Sequence, residues 1–143
     1  MFGTASTASP RHPQFASNLY THVSVEGAAG DRSGHELVAL LFDGLLAAMA
    51  RARGGMQQGD IATKSRAIDN ALRIIGEGLR AGLNLREGGA LARDLNDLYG
   101  YIELRLTRAN LRNEEAGLLE CTQLVKTLQE AWRQIGPQVR QAG

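Results

Sequence analysis

Leu91, Leu95, Leu98, Ile102, Leu106 and Ala109 recur at intervals of three or four residues. At 100° per residue they fall on one narrow stripe of an α-helix. A strand, whose side chains alternate every two residues, cannot gather them on one face. Two more segments repeat the pattern. Ile61, Ile68, Leu72, Ile75, Leu79 and Leu83 form one stripe, and Cys121, Val125, Leu128, Trp132 and Ile135 form another. Residues 37–50 are apolar almost all round, with Asp43 their only charge. Such segments bury their stripes most simply against one another, and no stretch shows strand alternation.

The punctuation between these segments sets the expected boundaries. Ser33-Gly34-His35-Glu36 has the capping-box form, in which hydroxyl and carboxylate each satisfy a free backbone N–H. Helix one is therefore expected from Ser33 to about Arg53, stopped by Gly54-Gly55. Asp60 can cap helix two, which extends to about Leu83 despite Gly76, Gly78 and Gly82. Gly88-Gly89 separates it from helix three, residues 90–112. Helix four covers about 114–135 or a little beyond, with Pro137 as its stop. Short connections favour antiparallel neighbours. The expected fold is all-α, an antiparallel up-down four-helix bundle over residues 33–143. Residues 1–32 are expected to be a flexible N-terminal segment. Residues 1–14 are small and polar with Pro10 and Pro13, and a short helix near 15–25 can form on Phe15, Leu19, Tyr20 and Val23. Gly27, Gly30 and Gly34 read as a flexible link.

Chemistry is scarce. The net charge of +1, without a basic block, lacks the footprint of a nucleic-acid binder. The single Cys121 can form no intrachain disulfide, which fits a reducing compartment. The N-terminus lacks the pattern of a secretory signal, and residues 37–50 are too short to span a bilayer. A cytoplasmic protein with no membrane insertion is expected. His12, His22 and His35 lie outside or at the edge of the bundle, and none has a Glu three residues before it, as a di-iron bundle requires. His35 reads as a surface residue of a first turn. Cys121, on a core stripe, reads as a small buried apolar residue. The glycine pairs follow no strand and precede no Gly-Lys-Ser/Thr, so they are not a phosphate loop. No catalytic residue, metal site or cofactor is expected, and the chain does not read as an enzyme.

What remains is a surplus of apolar surface. Leu104 and Leu111 lie nearly opposite the stripe of helix three, and Tyr99 and Tyr101 flank it. On helix one, Phe42 and Leu46 point away from the line of Leu37, Leu41 and Ala48. Ile74 is likewise off the stripe of helix two. The segment around Leu19, Tyr20 and Val23, a second protein laid helix-in-groove, or a second copy of the chain could each cover this surface.

The same residues resemble the FliS family, cytoplasmic export chaperones for flagellin. Tyr20 with Val23 and Val25 resembles an N-terminal tyrosine motif. Ser33, Glu36, Leu37, Leu41, Phe42, Asp43 and Gly44 resemble a helix-one signature, Ser-Pro-x-x-Leu followed by Leu-Tyr-Asp-Gly. Gly59-Asp60, Lys64, Ala71 and Ile75 fit helix two, and Leu85 with Gly88-Gly89 fits the linker. Leu95, Leu98-Tyr99, Tyr101-Ile102, Leu106 and Ala109-Asn110 fit helix three, and Ala131-Trp132 the end of helix four. Gly34, Phe42 and Gly100 depart from the usual Pro, Tyr and Asp. The resemblance implies a protein that binds the disordered C-terminal segment of flagellin, prevents premature polymerisation and aids delivery to the flagellar type III export gate. The cargo surface expected from it comprises Phe42, Leu46, Tyr99, Tyr101, Leu104, Arg105, Asn110 and Leu111, with Tyr20 as a cover that cargo displaces. Tyr99 reads equally as core, and Asn110 as the cap of helix three. The alternative is another helical interaction module, or a homodimer through the same surface.

Overall fold

The structure is a computed structural model that describes the backbone of residues 19–142 and the side chains of Leu19, Tyr20 and residues 34–135. The expectation of a flexible segment over 1–14, and the Phe15 end of the proposed short helix, lie outside the described residues.

Helix α1 spans Thr21–Gln58. It starts well before Ser33, so the capping-box sequence sits inside a helix. Its N-cap is Tyr20, extended at φ −123° and ψ 131°, with no side-chain capping bond. Gly27 and Gly30 do not make a link here; glycine disfavours a helix by about 1 kcal/mol per residue but does not forbid one. Nor does Gly54-Gly55 stop α1. The helix ends at Gly59, in the left-handed conformation at φ 71°, whose N–H reaches the carbonyls of Gly55 and Met56. Gly55 is needed within the helix because the chain doubles back over it. A Cβ there would lie 2.8 Å from the Lys64 nitrogen and 3.0 Å from the Asp60 oxygen.

Asp60 caps α2 as expected, accepting from the Thr63 N–H at 3.1 Å and from its hydroxyl at 2.7 Å. Helix α2 is α-helical over Ile61–Arg73 and continues as a π-helix over Ile74–Arg80. The wider turn closes with the Ala81 N–H on the Gly76 carbonyl at 3.1 Å, five residues back. The glycines of this stretch sit where α2 approaches its neighbours. A Cβ on Gly78 would meet Leu41 of α1 at 3.1 Å, and one on Gly76 would meet the Glu103 carboxylate at 3.1 Å.

Helix α3 spans Gly89–Arg112 and ends on Asn113, left-handed at φ 54°, whose N–H bonds the Ala109 carbonyl. Helix α4 spans Glu115–Ala142. It does not stop at Pro137: a proline forfeits its own N–H bond and crowds the preceding turn, yet the backbone beyond it keeps helical geometry.

Cross-helix bonds give the directions. The end of α1 meets the start of α4 through Arg53 and Gln57 on Glu115, and its earlier part meets the end of α4 through His35 and Trp132. The start of α2 meets the end of α3 through Lys64 and Asn110. With two-residue turns at Gly59-Asp60 and Asn113-Glu114, this is the antiparallel up-down four-helix bundle that the stripes require.

The core takes Ile68, Ile75 and Leu79 from α2, Ile102 and Leu106 from α3, and Leu118, Cys121 and Val125 from α4. On α1 the buried line is Val38, Phe42, Leu45 and Met49, while Leu37 and Leu40 are exposed. This rotates α1 from its expected phase: of Leu37, Leu41 and Ala48, Ala48 is fully buried, Leu41 is partly buried and Leu37 is exposed. Phe42 points inward, because α2 and α4 straddle its line, and an almost wholly apolar helix has no polar face from which to read its rotation. His35 is another correction. It is buried against Trp132, not on a surface turn, because α1 is already helical before it and α4 lies over it.

Candidate functional site

No group of His, Cys, Asp or Glu among the described residues could hold a metal ion. None of the described helices is long and apolar enough to cross a membrane. Cys121 is free and buried, and burial pushes its thiol up to about 12. The candidate site is therefore a surface, and it is built on α3.

The phase of α3 is set by Ile102, Leu106 and Ala109, all fully buried. Opposite them Leu104 is 52% exposed and Leu111 80%. On the side facing α4, Tyr101 donates to Glu120 at 2.6 Å, and Arg105 binds Glu120 at 2.8 Å and Glu114 at 3.2 Å. These bonds hold the Tyr101 ring, itself 42% exposed, beside Leu104. The bond to Glu120 raises the Tyr101 hydroxyl above its ordinary value, and the same contact with Tyr101, then Arg105, lowers Glu120. On the side facing α2, Arg80 reaches Asn96 at 2.8 Å and Glu103 at 2.5 Å. Its guanidinium passes over Gly100, where a Cβ would be 3.3 Å away. Gly100 thus gives Arg80 the room that a larger residue would take.

Asn110 does not cap α3; Asn113 does. The Asn110 carbonyl instead accepts from Lys64 at 3.1 Å, and the same ammonium reaches Asn113 at 3.2 Å. This buried lysine ties the α2 start to the α3 end. Its burial went unforeseen because a lysine inside an amphipathic pattern ordinarily marks solvent.

Leu46 lies half-buried in a groove of about 410 Å³ between α1 and α4, with Ala50, Gly54, Leu119 and Lys126 among its lining. Leu119, 45% exposed, was not singled out from the sequence.

At the other end of the bundle, Tyr20 and Tyr99 are both buried, with their hydroxyls 2.5 Å apart. Tyr20 also meets Trp132 edge-on, ring centroids 5.5 Å apart. Its backbone bridges Leu83, and the Leu19 carbonyl accepts from the Asn84 N–H at 2.9 Å. The His35 ring stacks on Trp132 at 4.5 Å, and the two are doubly tied: Trp132 Nε1 donates to the His35 carbonyl, and His35 Nε2 bonds the Trp132 carbonyl, both at 3.0 Å. Burial lifts the Tyr99 hydroxyl to about 12 and holds the Tyr20 hydroxyl well above its ordinary value. Of the nine residues expected to meet cargo, then, Tyr101, Leu104, Arg105 and Leu111 share one accessible face. Leu46 and Asn110 are partly accessible elsewhere, and Tyr20, Phe42 and Tyr99 are buried.

The family whose model matches this chain is described as FliS: Flagellar protein FliS, and the match covers residues 16–139. The chain is similar to the flagellar secretion chaperone FliS of Salmonella typhimurium, 44% identical over 118 residues, 82% of this chain and 87% of that protein. It is similar to the flagellar secretion chaperone FliSB of Pseudomonas aeruginosa, 38% identical over 82% of this chain and 92% of the relative. It is similar as well to FliS of Escherichia coli, 36% identical over 80% and 85%. With residues 16–139, and so the whole core of the bundle, inside the family match, the chain belongs to the FliS family of flagellar secretion chaperones, which are not enzymes.

Proposed function

We propose that this protein works in the cytoplasm, where it binds the disordered C-terminal segment of flagellin, keeps it from polymerising prematurely, and aids its delivery to the flagellar type III export gate. The observation that supports this reading is the exposed pair Leu104 and Leu111, one above the other on a helix whose other sides are fixed by α2 and α4. Rigid apolar anchors of this kind suit a segment that folds as it binds, since only the cargo then bears an ordering cost. That cost also lowers affinity for a given area, which suits a cargo that must later be released. Tyr101 and Arg105 extend the contact toward α4, and Leu46 and Asn110 supply further anchors for a segment that wraps the bundle. Tyr99 becomes available only when Tyr20, which covers it, is displaced. Phe42 supports the site from the core.

Titration with flagellin, and with flagellin lacking its C-terminal segment, tests the reading. A one-to-one complex by size exclusion that is lost on the deletion is expected. Binding that survives the deletion sinks it. Leu104→Glu should keep the helical circular dichroism and weaken binding by about tenfold or more, the scale of one buried apolar anchor. Loss of the helical signal would instead place Leu104 in the core. Elution of the free protein at twice its mass, abolished by Leu104→Glu, would favour a homodimer through this face.

A further inference from the structure

The stretch of α2 with the wide turn, Ile74–Arg80, is gripped at both ends by one carboxylate of α3. Glu103 Oε1 accepts from Arg80 at 2.5 Å, and its Oε2 lies 3.1 Å from where a Gly76 Cβ would stand. Asn96 holds the Arg80 Nε as well, at 2.8 Å. A π turn closes on the fifth residue back, so it holds one residue more than an α turn. That extra residue offsets everything after it by about 100° of rotation. The groups so placed are the ones that seat the N-terminal segment. The Leu83 N–H bonds the Arg80 carbonyl at 3.1 Å, and Leu83 bridges Tyr20 through the backbone. The next N–H, of Asn84, donates to the Leu19 carbonyl at 2.9 Å. Tyr20 then rests on Tyr99 and Trp132. The Arg80–Glu103 clasp and the seat of Tyr20 are thus joined by three residues of backbone.

We propose that the wide turn of α2 is a register switch that couples this clasp to the N-terminal cover. With Glu103 on Arg80, the turn stays wide, and Leu83 and Asn84 hold Leu19 and Tyr20. When Glu103 releases Arg80, α2 tightens to the commoner α register and its surplus residue passes into the connection at 81–88. Leu83 and Asn84 then turn away, and Tyr20 leaves Tyr99 and Trp132. The core permits this. Ile75 and Leu79, both fully buried, are four residues apart, a spacing that an α turn serves as well as a wide one. Gly76 and Gly78 carry no side chain that the change would have to relocate. The input lies on the α3 surface, since Glu103 precedes the exposed Leu104. A contact that draws Glu103 off Arg80 opens the cover without touching Tyr20. The switch belongs to the free protein and stands apart from the identity of whatever binds.

The test therefore uses the full chain alone. Arg80→Ala and Glu103→Ala each open the clasp. Both side chains are partly exposed, so the bundle should survive, as helical circular dichroism will show. Arg53→Ala breaks an ion pair with Glu115 at the other end of the bundle and is the control. In both clasp variants the Asn84 amide should exchange with deuterium about tenfold faster or more, and acrylamide should quench Trp132 about twofold more strongly. The control should stay within about twofold of the parent in exchange and show parent quenching. A crystal structure of the Arg80→Ala protein should show the Ala81 N–H on the Glu77 carbonyl in place of Gly76. Parent-like exchange and quenching in both clasp variants overturn the switch. So does an Arg80→Ala structure that keeps the Ala81–Gly76 bond, and so does equal acceleration in the Arg53→Ala control, which would mean general loosening. None of these outcomes bears on flagellin binding, which is tested separately.

Discussion

The two hydroxyls of Tyr20 and Tyr99 define a measurable coupling between the N-terminal segment and the bundle. They lie 2.5 Å apart, and each ring is 1% exposed. Tyr20→Phe removes one hydroxyl and leaves the Tyr99 hydroxyl buried without its partner. A buried polar group stripped of its hydrogen bond costs about 1–3 kcal/mol, whereas removing both partners together is nearly neutral. Each single variant, Tyr20→Phe or Tyr99→Phe, should therefore lose about 1–3 kcal/mol of stability. The double variant should lose clearly less than the sum, leaving a coupling energy of similar size. Urea unfolding reads this directly, followed in parallel by helical circular dichroism and by the fluorescence of Trp132. That residue is the chain's one tryptophan, with its ring 5.5 Å from Tyr20. Additive single-variant losses, with no coupling beyond error, would refute the contact. So would a Tyr20→Ala protein whose Trp132 emission is unchanged, since the ring would then not be docked.

The same pair predicts an alkaline limit. Both hydroxyls ionise near 10 when unfolded, and burial raises both, Tyr99 to about 12. The stability tied to their neutral forms is whole below pH 10 and is lost as pH rises toward 12. The urea midpoint should fall over that window, and fall less in the Tyr20→Phe, Tyr99→Phe double variant; equal slopes would contradict the assignment. The adjacent glycines of α1 should behave oppositely. Gly55→Ala forces a Cβ to 2.8 Å from the Lys64 backbone and should cost about 1–3 kcal/mol, as overpacking does. Gly54→Ala meets nothing within 4 Å and should be neutral or stabilise by up to about 1 kcal/mol. Thermal unfolding of the two variants decides whether the turn is packed as described.

The helical stripes made the architecture legible because three of the four helices have a polar side that fixes their rotation. Ile68, Ile75 and Leu79 on α2, Ile102 and Leu106 on α3, and Cys121 and Val125 on α4 are buried as their spacing requires. Boundaries were less legible. Ser33-Glu36 and Gly54-Gly55 carry strong local signals for a start and a stop, and both lie inside α1. A local signal states what a backbone prefers alone. It does not see that Gly55 is where the returning chain touches the helix.

For the site, the legible part was the surface that no core needed. Leu104 and Leu111 are opposite a stripe of fixed phase, so their exposure follows from counting, and the structure leaves both open. Phe42 failed for the converse reason. With Asp43 as the only charge over 37–50, any rotation of α1 buries some apolar line, and the choice falls to the neighbours. The burial of His35 was illegible for a third reason, as was the place where Tyr20, expected as a cover, docks: each is held by Trp132, far away in the chain, through ring contacts that no local spacing encodes. The three cases separate what covers the bundle from what waits for cover. Tyr20 already closes over Tyr99 and Trp132, so that end of the molecule has its apolar partner from within the chain. The α3 face has Leu104, Leu111, Arg108 and Arg112 exposed. Under the proposed function, a cargo segment would therefore engage α3 first without opening the fold, and reach Tyr99 only by replacing a contact the protein already makes.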